Sequence, residues 1–171
     1  VEEYRRVGGV SKATLYSYFP DKRLLFSEVA RAECNRQAEE AMAEFDLSDP
    51  VTVVLHQVAD RIVRFFLSDF GQQVYRICVA ESYRFPELGQ RFYESGPALV
   101  RERLSAILQP YIARGELKID DMDLAADQFG QLCKSDLFVR RLCGISTETS
   151  EAEIERVVTG VVQMFLARYG A

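Results

Sequence analysis

Within residues 11–22 the chain places Ser11, Lys12, Thr14, Tyr16, Ser17, Tyr18 and Lys22, with Ala13 among them. Hydroxyls and ammoniums are hydrogen-bond donors, and donors this dense on small or slender side chains suit a polyanionic surface such as a phosphate backbone. The rest of the chain is poor in groups that break bonds or hold metals. His56 is the single histidine, so there is no histidine pair and no His-rich metal site, and neither G-x-S-x-G, a P-loop nor a dinucleotide fingerprint occurs. The four cysteines, Cys34, Cys78, Cys133 and Cys143, form no C-x-x-C pair and sit in apolar surroundings. They read as free thiols acting as small buried hydrophobes in a reducing cytosol, with a redox switch as the minor alternative. No enzyme activity, metal or cofactor is expected.

Charge separates the two ends of the chain. The 171 residues carry a net charge of -5, yet in residues 1–25 Arg5, Arg6, Lys12, Lys22 and Arg23 outnumber Glu2, Glu3 and Asp21. A basic tip on an acidic body is the arrangement of a phosphate reader carried by a separate regulatory part. No apolar run approaches the ~20 residues of a membrane span, so no membrane partner is expected.

Helical periodicity dominates, and an all-α chain is expected. Phe26, Ala30, Cys34, Ala38 and Met42 recur every four residues, which predicts one long amphipathic helix over 22–44 closed by Phe45. Ser48-Asp49-Pro50 starts a second helix, with Gly71 expected to break it. A helix over 72–84 ends before Phe85-Pro86. A stretch from Glu87 to Arg114, bent at Gly96-Pro97, stops at Gly115, and a helix of about 122–139 follows. Ser150 and Glu153 form a capping box for a last helix over 151–169.

These elements leave the donor-rich segment on a helix of about two turns, entered by a Gly8-Gly9 turn and followed by Asp21 as cap of the long helix. So short a helix is stable only when packing holds it, with Val10, Leu15 and Phe19 inward and the polar set outward. Lys12 then suits guanine O6 or N7 and Ala13 a thymine methyl, while Thr14, Tyr16, Tyr18 and Lys22 suit phosphates and Ser17 a water-mediated contact or none. The run GVSKATLYSYFPDKRLLF, Gly9 to Phe26, resembles the recognition-helix signature of the TetR family of transcriptional regulators. RICVAESYRFPELGQRFYESGP, residues 76–97, further resembles the C-terminal domain of an AefR-like branch.

The resemblance implies a three-helix, helix-turn-helix DNA-binding domain over 1–45 whose first helix is missing here, about two to three dozen residues. A ligand-binding and dimerisation domain over 46–171 follows. It implies a cytoplasmic homodimer that binds double-stranded DNA at a palindromic operator and is released by a small hydrophobic or aromatic effector. Ser11, Lys12, Ala13, Thr14, Tyr16, Ser17, Tyr18 and Lys22 are the expected DNA contacts. The aromatic and imidazole side chains expected to line the effector site are His56, Phe65, Phe66, Tyr75, Tyr83 and Phe92. The last two helices are expected to pair across a two-fold axis through Phe129, Cys133, Val158, Val161 and Phe165. A helical small-molecule-binding module with a vestigial DNA reader, and a transcriptional activator, are the rival readings.

Overall fold

The computed structural model describes residues 22–146 and 148–171, and among them it holds eight α-helices and no β-strand. They are α1 (Lys22–Glu44), α2 (Val51–Leu67), α3 (Asp69–Ser82), α4 (Pro86–Ser95), α5 (Pro97–Ala113), α6 (Met122–Leu132), α7 (Leu137–Leu142) and α8 (Glu151–Tyr169).

The long helix α1 forms as its four-residue spacing predicts, and its outer face carries i,i+3 and i,i+4 pairs, Arg31 with Glu28 and Arg36 with Glu33 and Glu40. Its inner face divides between two cores. Ala30 and Phe26 meet Val74, Cys78 and Leu88, whereas Met42 and Phe45 reach a larger core built by α2, α5, α6 and α8. In that larger core Phe129 and Phe165 meet edge to face with ring centroids 5.1 Å apart. Tyr111, fully buried, donates its hydroxyl to Asp49 O at 3.0 Å and so fastens the α1–α2 loop to α5.

Helix breaks fall where local chemistry sets them, with two departures from expectation. Ser68, not Gly71, ends α2: its hydroxyl accepts from Gly71 N at 3.0 Å and donates to Phe65 O at 2.7 Å, capping α3. Gly71 lies inside the first turn of α3, where a Cβ would stand 2.2 Å from Phe65 O. The stretch expected as one helix over 122–139 is two, α6 and α7. Asp136 adopts φ 57° between them, and Ser135 Oγ donates to Leu132 O at 2.6 Å. Apolar residues on both sides hide that break from a periodicity reading.

The remaining boundaries follow their signals. Gly96, with φ -118° and ψ -90°, separates α4 from α5, each opened by a proline. Gly115 turns the chain at φ 75°, and Lys118 N donates to Tyr169 O at 2.8 Å, tying this loop to the end of α8. The capping box is complete, with Ser150 N donating to Glu153 Oε2 at 2.9 Å and Glu153 N to Ser150 Oγ at 3.3 Å.

Candidate ligand-binding cavity

Where the two cores meet, the helices fail to close. A cavity of about 380 Å³ remains between α1, α2, α3, the α4–α5 junction, α5 and α6, within the ~300–1,000 Å³ usual for small-molecule sites. Its existence follows from the division along α1, because Cys34, Ala38, Ala41 and Met42 supply only small or flexible side chains where the neighbouring helices diverge. The opposite wall is aromatic. Tyr75 meets Phe138 edge to face at 4.9 Å and Phe92 at 6.0 Å, and Phe66 lies 5.3 Å from Phe138.

Of the six side chains expected there from sequence, the structure brings Phe65, Phe66, Tyr75 and Phe92 to the wall. His56 and Tyr83 lie elsewhere. His56 sits on the outer side of α2 with Nε2 3.0 Å from Glu155 Oε1, joining α2 to α8, and Tyr83 follows the last residue of α3 and is 95% exposed. Sequence reasoning missed the polar and charged residues of the lining, Arg103, Asp127, Gln131 and Lys134 among them. Arg103 had left a signal, standing four residues from both Leu99 and Ile107 in the apolar stripe of α5.

The cavity is mechanically linked to α1. Glu28 of α1 accepts from Arg91 of α4, one residue before the wall residue Phe92, and also from Arg31 at 2.7 Å. Burial pushes the thiols of Cys34 and Cys78 up to about 11 and that of Cys133 up to about 12, so all three are protonated near neutrality. No group of three or more His, Cys, Asp or Glu side chains among the described residues is placed to hold a metal ion.

The outward surfaces differ from the sequence expectation. Phe129, Cys133, Val158, Val161 and Phe165 are buried in the protomer's own core, where α2 covers the apolar face of α8. The same two helices turn other side chains outward, with Leu124 of α6 50% exposed and Met164 of α8 62% exposed. Ser11, Lys12, Ala13, Thr14, Tyr16, Ser17 and Tyr18 lie outside the described residues, and Lys22 enters only as the first residue of α1. None of the described helices is long and apolar enough to cross a membrane.

Comparison with known proteins supplies the context for this arrangement. Residues 53–171 match the C-terminal domain of AefR-like transcriptional repressors. The flavonoid-responsive regulator FrrA is 33% identical, with a TM-score of 0.77, the match covering 99% of this chain and 86% of that one. A TetR-family transcriptional regulator from Mesorhizobium loti MAFF303099 is 27% identical with a TM-score of 0.83, over the same shares of the two chains. A third structure, a TetR family transcriptional regulator from Pseudomonas syringae pv. tomato, has the same fold at 23% identity and a TM-score of 0.67, over 99% of this chain and 84% of that one. No curated protein matches the chain. With its signature run from Gly9 to Phe26, its helical body and these relatives in agreement, the chain belongs to the TetR family of transcriptional regulators, with an AefR-like C-terminal domain.

Proposed function

We propose that this regulator is a DNA-binding repressor whose operator affinity falls when a small, largely apolar effector fills the cavity. The observation that carries the proposal is the position of α1. One face of that helix walls the cavity, and the helix begins at Lys22, with three residues of sequence between it and the donor-rich segment of residues 11–18. A ligand wedged against Ala38 and Met42 pushes on the helix that carries the DNA reader. The Glu28–Arg91 pair conveys any movement of α4 to the same helix. FrrA, by its name, responds to flavonoids, and the aromatic wall of Phe66, Tyr75 and Phe92 favours an effector with rings.

Two recognition helices in a homodimer then read a palindromic operator, and effector binding changes their separation. A coupling of ~1–3 kcal/mol weakens operator binding ~5–150-fold. The test is fluorescence anisotropy of the full-length protein on the DNA upstream of its own gene across a salt series, beside Lys12→Ala and Tyr16→Phe. Tight, steeply salt-dependent binding that weakens in both variants and again on saturation with a cavity ligand is the expected result. Binding no tighter than on unrelated DNA, or an operator affinity unmoved by saturating ligand, defeats the corresponding half of the proposal.

A further inference from the structure

The charged groups at the cavity wall do not balance. Asp127 is engaged by Arg101, accepting from Nε at 3.0 Å and Nη2 at 2.8 Å, and Arg61 is engaged by Glu44. Gln37 donates to Glu33 Oε1 at 2.7 Å. What remains is positive. Lys134, in the turn between α6 and α7, is half-buried, and no hydrogen bond or ion pair of its ammonium occurs among the described residues. Three rings surround it, with Nζ 5.0 Å from the centroid of Phe66, 5.5 Å from Tyr75 and 5.9 Å from Phe138. Arg103 of α5 turns a buried Nε toward no acceptor, and its contact with Glu102, at 3.9 Å, is made through Nη1.

Two cations on one apolar cavity are costly when it is empty. Ring faces compensate an ammonium only in part, and an unmatched N–H loses its water without a replacement. Burial also holds Lys134 below the ordinary lysine value, a sign that its charged form is incompletely solvated. An incoming anion removes both penalties together. A carboxylate has two oxygens, one to accept from the Lys134 ammonium and one from Arg103 Nε.

We infer that the cavity selects small organic monoanions, an apolar or aromatic body bearing one carboxylate, held by Lys134 Nζ and Arg103 Nε with the body against Phe66, Tyr75 and Phe92. This rests on reading the cavity as the effector site, and it adds the sign of the effector's charge. A phenol, which titrates near ~10 and stays neutral at pH 7, offers an oxygen without the charge, so the test includes one.

The experiment is isothermal titration calorimetry of the full-length protein at pH 7 with matched probes. These are biphenyl-4-carboxylate and biphenyl-4-carboxamide, 2-naphthoate and 2-naphthamide, decanoate and decanamide, and 4-phenylphenol. Acids are expected to bind at least ~10-fold more tightly than their amides and than the phenol, the size of one hydrogen bond to a charged group. In Lys134→Met and Arg103→Met that ratio falls toward one while amide affinity holds, and Lys134→Arg restores preference for the acid. A merely structural lysine would lower acid and amide alike, with the ratio unchanged, and that result overturns the inference. Equal binding of acid, amide and phenol by the unsubstituted protein overturns it too and leaves the effector cavity standing. Failure of every probe to bind removes both.

Discussion

At the scale of single residues, Gly71 shows how closely α2 and α3 approach. A β-carbon there meets the carbonyl of Phe65 at 2.2 Å, and since that neighbour is backbone it cannot rotate aside. Gly71→Ala is therefore expected to destabilise the protein by ~1–3 kcal/mol, read as a lower midpoint in urea denaturation without a change of slope. The same residue shows what the sequence conceals. As a glycine after an apolar run it resembles a helix stop, yet the stop is the Ser68 hydroxyl three residues earlier. Ser150 and Glu153 were legible because both halves of a capping box lie within one turn. Lys134 was not, because a charged side chain in a helical sequence ordinarily faces water and only tertiary packing turns it inward, whereas Arg103 left a signal in its place on the apolar stripe of α5.

At the scale of elements, α1 and α4 are coupled by contacts of different kinds. Apolar packing of Phe26 and Ala30 around Leu88 fixes their distance, and the Glu28–Arg91 pair fixes their register. Arg91→Met keeps most of the aliphatic stem and removes the charge. Because the pair is partly exposed, the stability cost is expected to be at most ~1 kcal/mol, while the ligand-induced loss of operator affinity shrinks. Operator titrations with and without a saturating cavity ligand measure this, and an undiminished response would place the coupling in the apolar contacts alone. The period that reveals α1 also explains the error at α6 and α7. Leu132, Leu137 and Phe138 keep apolar residues on both sides of the turn, so hydrophobic spacing continues where the backbone does not. Four of the six expected cavity side chains were found because ring-bearing residues at helical spacing turn inward. His56 on the outer side of α2 and Tyr83 just past the end of α3 show that residue type alone does not say which way a side chain faces.

At the scale of the whole molecule, the question is how one protomer meets another. A hydrophobic stripe in a sequence announces that something covers it, and for α8 that cover is α2 of the same chain, which is why Val158, Val161 and Phe165 are already spent. For the proposed homodimer the surface to test is the outward side of α6 and α8, with Leu124 exposed on one helix and Met164 on the other. Gly160 lies one turn before Met164, and a Cβ there would meet nothing within 4 Å, so another helix has room to approach closely. Met164→Glu places a charge on the exposed side of α8. As a substitution at a 62% exposed position it should alter protomer stability by no more than ~0.5 kcal/mol. In sedimentation equilibrium the unsubstituted protein is expected as a dimer and the variant as a monomer with an unchanged helical circular dichroism spectrum. Operator binding follows, since half-sites one DNA turn apart, ~34–36 Å, require two linked readers. The monomer should lose affinity, and about half the slope of log affinity against log salt, because half the phosphate contacts go with the partner. A variant that remains dimeric moves the interface off this face, and a monomer that keeps the full salt slope rejects the two-reader geometry.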